Sequence, residues 1–151
     1  MTDPQPGSAV PVHPVRLTDG VGAWFTGRPA GGKTAVGAPG NLAHRRPHLP
    51  SALARDRAAA FGRMGFAPED VHLMQQVHGA AVGVVEPTTL RGAELRHVDA
   101  LVTAAAGRAL AVQVADCVPL LLAAADGPVA AVHAGRRGVA ANVVAASLAA
   151  L

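Results

Sequence analysis

A chain of 151 residues has the size of one domain and can bury roughly two-thirds of its unfolded surface, so a single compact core is expected. Half of the residues are hydrophobic and 15% are charged, a balance that excludes a disordered segment. The net charge of +3 suits small anions, but the basic residues are scattered, Tyr is absent and the aromatics are Trp24, Phe25, Phe61 and Phe66, which argues against a nucleic-acid platform.

Taken in chain order, residues 1–19 hold Pro4, Pro6, Pro11 and Pro14 and read as a flexible lead-in that propagates neither helix nor sheet ladder. Residues 20–151 then form the folded part. From Gly20 to Gly40 the chain is rich in Gly, with a strand expected over Val21 to Thr26 and an irregular loop after it. Loops of that length are uncommon unless they bind something. Ser51 can cap a helix that runs through Leu53, Ala54, Ala58, Phe61 and Met64 at helical spacing, with Gly65 at its far end.

Short apolar runs follow at Val71 to Val77, Ala81 to Glu86, Leu101 to Thr103, Ala109 to Ala115, Val118 to Ala124 and Val129 to His133. Their length and their bounding Gly, Pro and Asp predict strands. From about Val139 to Leu151 the pattern is that of one Ala-rich helix, and the chain stops inside it. A single Cys makes no intramolecular disulfide, and neither a signal-like apolar core nor an eighteen-residue apolar span is present. A cytoplasmic protein with no membrane partner is the expectation.

Three residues stand where apolar runs end or break: His78 after Val77, Cys117 before Val118, and His133 after Val132. Two imidazoles and a thiolate are a zinc ligand set, and three protein ligands leave a fourth position open, as in catalytic sites. Cys117 lies 39 residues after His78 and 16 before His133, so no short zinc-finger pair is present. On residue type alone, a buried apolar Cys and satisfied core histidines are the alternative. Asp116 and Asp99 could relay a proton at such a site or orient a ligand imidazole. Arg136 and Arg137, in a Gly-bounded turn opening the last helix, could hold an anion or stand solvated.

A second pattern is Gly27-Arg28-Pro29-Ala30-Gly31-Gly32-Lys33-Thr34, which fits a phosphate-binding P-loop, with Leu120 to Asp126 as its Walker B strand. Pro29 removes one backbone donor, and Gly37, Pro39 and Gly40 oppose the helix that such a loop must enter.

The strings Gln76-Val77-His78-Gly79, Val98-Asp99-Ala100, Ala115-Asp116-Cys117-Val118-Pro119 and His133-Ala134-Gly135-Arg136-Arg137-Gly138 occur in this order. They resemble the signature strings of the laccase-domain family, also called the multicopper polyphenol oxidase or purine nucleoside phosphorylase family. Phe25-Thr26, Arg28, Gly31-Gly32 and Asn41-Leu42 are similar to its Gly-rich N-terminal segment. The resemblance implies a mixed-sheet α/β sandwich, and a zinc ion on His78, Cys117 and His133. It also implies phosphorolysis of purine nucleosides (adenosine, inosine, methylthioadenosine) with associated adenosine deamination.

Arg28, Asp116, Arg136 and Arg137 are then candidate contacts for substrate and phosphate, and a homodimer is a candidate assembly. Copper suits a His₂Cys set as well, but His13, His44, His48, His72 and His97 are too few for a trinuclear copper centre. The chain departs from the family in carrying Arg136 where Trp is usual, and in an extra residue beside Gly31-Gly32 together with Lys33. The family fold also continues well past the position of Leu151, so the C-terminal part of the fold is expected to be missing. A non-catalytic metal-binding relative and a zinc-dependent amide hydrolase are the alternative readings.

Overall fold

The computed structural model describes residues 10–27, 42–43, 49–125 and 127–151. Residues 28–34 of the P-loop-like segment, Arg28 among them, and Asp126 at the end of the Walker B-like run lie outside the described residues. Backbone proximity divides the chain into two compact units, one of residues 1–15 and 22–68, the other of residues 16–21 and 69–151. The class is the expected one, mixed α/β with sheets of mixed orientation and few helices.

In the first unit, β1 (Val12–Arg16) pairs with β2 (Gly22–Thr26) in a two-stranded sheet. β1 lies inside the stretch read as unable to form a ladder. Among the described residues each of these strands has one ladder partner, and a proline is tolerated in such an edge strand because the other side needs no N–H donor. α1 (Pro50–Arg63) starts two residues earlier than the Ser51 cap predicts. Pro50 occupies the first helical turn, where its fixed φ and missing N–H are tolerated, and Leu49 is the N-cap with no side-chain cap bond. The far end is as expected: Gly65 has φ +86°, and the Phe66 N–H reaches back to the Phe61 carbonyl at 3.0 Å, closing a Schellman-type cap. Ala52, Leu53, Asp56, Ala60 and Phe61 form the buried face, whereas Ala54 and Ala58 of the predicted stripe are exposed.

In the second unit, a parallel three-stranded sheet has the order β5 (Glu94–Arg96), β3 (Val71–Gln75), β7 (Ala109–Leu110). A four-stranded sheet has the order β4 (Val82–Val84), β6 (Ala100–Thr103), β9 (Val129–Ala134), β8 (Val118–Ala123). β4 runs parallel to β6, and the β6–β9 and β8–β9 pairs are antiparallel. Because successive strand residues point to opposite faces, β6 and β9 feed two cores. Leu101 and Ala131 meet Met74 of the three-stranded sheet, and Ala100, Val102, Ala130 and Val132 pack with Val143. Leu101 and Val132 have no exposed surface. Each such side chain contributes about 1.5–3 kcal/mol by leaving water.

The single C-terminal helix predicted from the Ala-rich pattern is two helices, α2 (Arg136–Ala140) and α3 (Val143–Ala150). The break is at Asn142, whose φ of +65° is a left-handed conformation that Asn tolerates better than most residues. The expected strand over Ala109 to Ala115 has ladder character at Ala109–Leu110 alone, and β5, short and polar, was not among the predicted strands. Among the described residues, no helix is long and apolar enough to cross a membrane.

His72 on β3 is fully buried. Its Nε2 faces an Arg108 N–H at 3.3 Å, so this nitrogen accepts and the ring is neutral, and its Nδ1 has no partner among the described residues. Burial, and then the Arg108 and Arg91 charges, hold its pKa below the usual histidine value, with Asp70 acting in the opposite direction. The unfolded chain takes up a proton as pH falls through about 6.5 while the native state resists it. The contribution of His72 to stability is therefore complete above that pH and is lost below it. In denaturant unfolding between pH 7 and 5, wild type should lose stability more steeply than His72→Phe, by at most about 1.4 kcal/mol per pH unit. Equal slopes would contradict this reading of His72.

Candidate metal centre

The antiparallel register of the four-stranded sheet assembles the centre. Val118 is paired with Ala134 and Pro119 with His133, so Cys117, just before β8, comes beside Gly135, just after β9. Ala100 is paired with Val132, and the His133 N–H donates to the Asp99 carbonyl at 2.7 Å, which makes Asp99 and His133 cross-strand neighbours. His78 follows the end of β3. Its ligand atom, that of His133 and the Cys117 Sγ all lie within 4.8 Å of one another. Cys117 Sγ is 3.9 Å from His78 Nε2, a gap that two metal bonds of roughly 2.0–2.3 Å can bridge. The two imidazoles meet edge to face, with centroids 4.7 Å apart.

Asp99 is fully buried beneath these ligands. Its Oδ1 accepts from the His78 N–H at 2.8 Å and from His133 Nδ1 at 2.8 Å. Its Oδ2 accepts from the Gly79 N–H at 2.7 Å and the Val77 N–H at 3.2 Å. Burial alone would push this carboxyl up. The hydrogen bonds from His133, Gly79, Val77 and His78 outweigh it and hold the pKa below the usual carboxylate value. The bond to Asp99 places the His133 proton on Nδ1 and leaves Nε2 available to a metal.

Gln76 joins the loops that carry His78 and Cys117. Its side-chain NH₂ donates to the Gln113 carbonyl at 2.7 Å, and its Oε1 accepts from the Gln113 N–H at 3.0 Å. This amide stands in for ladder bonds where the β3–β7 pairing has ended.

The space between the ligands exists because residue 135 is glycine. A Cβ there would lie 3.0 Å from Cys117 Sγ, 3.1 Å from His78 Cδ2 and 3.6 Å from His133 Cε1. At Gly138 a Cβ would come within 2.8 Å of the Gly79 carbonyl, so α2 rests directly on the loop that holds His78. A thiolate donor and two imidazoles around an open cradle fit a single borderline-soft cation.

Of the other candidate residues, Asp116 adjoins Cys117 and is exposed, and Arg136 and Arg137 are exposed at the start of α2. Arg28 lies outside the described residues. Gln76, Gly135 and Gly138 sit within the recognised strings without having been assigned a role. Their parts depend on partners 37, 18 and 59 residues away, which spacing does not reveal.

The family model for the multi-copper polyphenol oxidoreductase laccase matches residues 22–151. A purine nucleoside phosphorylase of Corynebacterium glutamicum is 40% identical over 126 residues, covering 83% of this chain and 51% of the relative. A purine nucleoside phosphorylase of Streptomyces griseus is 43% identical over 128 residues, covering 84% and 52%. The chain therefore spans about half the length of these relatives. Among solved structures, a Neisseria meningitidis protein superposes with a TM-score of 0.71 at 28% identity, over 93% of this chain and 56% of the other. The YlmD protein of Geobacillus stearothermophilus gives 0.58 at 33% identity, over 62% and 37%. With a family model matching from β2 to the last residue, the chain belongs to the multi-copper polyphenol oxidoreductase laccase family.

Proposed function

We propose that this chain carries the metal-binding part of a zinc-dependent purine nucleoside phosphorylase with adenosine deaminase activity, acting on adenosine, inosine and methylthioadenosine. The observation that carries the metal reading is the convergence of His78, Cys117 and His133, with His133 Nδ1 turned to the Asp99 carboxylate. The nucleoside reading is supported by the names of the relatives. Zinc fits better than a copper cluster, because among the described residues these three are the only group of His, Cys and acidic side chains placed to hold an ion. Bound there, zinc supplies Lewis acidity at neutral pH.

The protein groups have separate parts in this reading. His78, Cys117 and His133 fix the metal. Asp116 exchanges a proton with solvent during deamination, a role supported by its exposure beside Cys117. Phosphorolysis needs an anion held near the ribose, and Arg136 and Arg137, together with Arg28, supply the charge.

Release of hypoxanthine from inosine that depends on phosphate, and of ammonia from adenosine that does not, tests the proposal. Arg137→Ala should raise the KM for phosphate roughly tenfold or more with a smaller change for inosine, as expected for loss of a charge-assisted bond of about 1.5–3 kcal/mol. An unchanged phosphate KM would remove Arg137 from the site. Metal uptake with no release of base or ammonia would leave a metal-binding protein without this activity.

A further inference from the structure

We propose that Asp99 is the positioning residue of the metal centre: one buried carboxylate fixes both the ring tautomer of His133 and the left-handed backbone of His78, presetting two of three ligands. This rests on the reading of His78, Cys117 and His133 as metal ligands, and not on the nucleoside chemistry.

His78 has φ +63°, a left-handed conformation that a non-glycine residue keeps only where its surroundings impose it. Here the imposing group is Asp99. The N–H groups of Val77, His78 and Gly79 all converge on its carboxylate, the concave backbone arrangement that a left-handed residue creates for an anion. The same carboxylate takes the Nδ1–H of His133, and the Asp99 carbonyl takes the His133 backbone N–H. One residue, immediately before β6, therefore sets a loop ligand and a strand ligand relative to each other.

A proton relay is the competing role, and the geometry argues against it. A carboxylate offers roughly four acceptor positions. Four donors occupy them, two on each oxygen, and the side chain has no exposed surface. It has neither a free lone pair nor a path to water. A Cβ at Gly79 would be in van der Waals contact with Oδ2, at 3.4 Å, so the carboxylate lies directly against the loop.

The test is the tautomer of His133, read from two-bond ¹H–¹⁵N correlations of metal-free protein at mildly alkaline pH, together with zinc affinity by chelator competition. Wild type should show the Nδ1–H form. In Asp99→Asn an amide oxygen that keeps the Val77 and Gly79 N–H groups puts the NH₂ at the Oδ1 position, against the His78 N–H and His133, which makes Nδ1 an acceptor and moves the proton to Nε2. The expected result is that tautomer switch with a zinc Kd raised on the order of 10–100-fold. An Nε2–H tautomer in wild type overturns the proposal without need of any variant, so a poorly folding Asp99→Asn does not shield it. So does an Asp99→Asn protein with the wild-type tautomer and a zinc Kd within twofold. Wild-type protein with the Nδ1–H form that binds zinc but releases no base from inosine supports this role for Asp99 and removes the nucleoside reading instead.

Discussion

Cys117→Ala is expected to abolish stoichiometric metal binding while leaving the fold intact. The thiolate is the only anionic donor among the three ligands, and removing it leaves two imidazoles, a set that no longer closes around a cation. The loss of affinity should exceed the roughly 10–100-fold that accompanies loss of an outer hydrogen-bonding partner such as Asp99. Cys117 is half-buried and precedes β8, and its sulfur is not part of either core cluster. Thermal unfolding of the metal-free variant should therefore match metal-free wild type, whereas wild type alone should gain stability when zinc is added. Zinc-dependent stabilisation that survives in Cys117→Ala would place the metal elsewhere.

Gly135→Ala should also weaken zinc binding, less than loss of the thiolate and by a different route. The added methyl would sit 3.0 Å from Cys117 Sγ and 3.1 Å from His78 Cδ2, closer than such atoms ordinarily approach. Both neighbours are ligand side chains, so relief comes from spreading the ligands by a few tenths of an ångström. Overpacking of this kind costs about 1–3 kcal/mol, and a bound metal resists the spreading because its bond lengths tolerate only about 0.2 Å. The penalty should therefore appear mainly in the metal-bound state. Isothermal titration with zinc would measure it: a Kd raised by about tenfold or more, corresponding to at least 1.4 kcal/mol, is expected. An unchanged Kd would mean that the cradle at Gly135 is not where the ion sits.

The candidate ligands His78, Cys117 and His133 each stand at a strand boundary inside a distinctive string, and the family resemblance of those strings, more than residue type, singled them out. Asp99 shows the limit of that signal. Its neighbours Val98 and Ala100 mark it in the sequence, but its role depends on N–H groups 20–22 residues earlier and an imidazole 34 residues later. Strand pairing, not spacing, makes these contacts. The same holds for Gln76, whose amide replaces ladder bonds to Gln113.

Elements bounded by strong local chemistry were also readable. Gly65 ends α1 where predicted, and β8 and β9 lie close to their expected bounds. Errors arose where two local rules competed. Pro50 took the first turn of α1 ahead of the cap signal from Ser51, and Asn142 broke a helix that the Ala-rich pattern would have continued. β1 formed around Pro14 because one edge of a two-stranded sheet needs no donor.

Elemental analysis of the purified protein tests the central claim most directly. One zinc per chain, absent from Cys117→Ala purified in the same way, is the expected result. Several coppers per chain, or zinc retained in full by Cys117→Ala, would contradict a single metal centre at His78, Cys117 and His133.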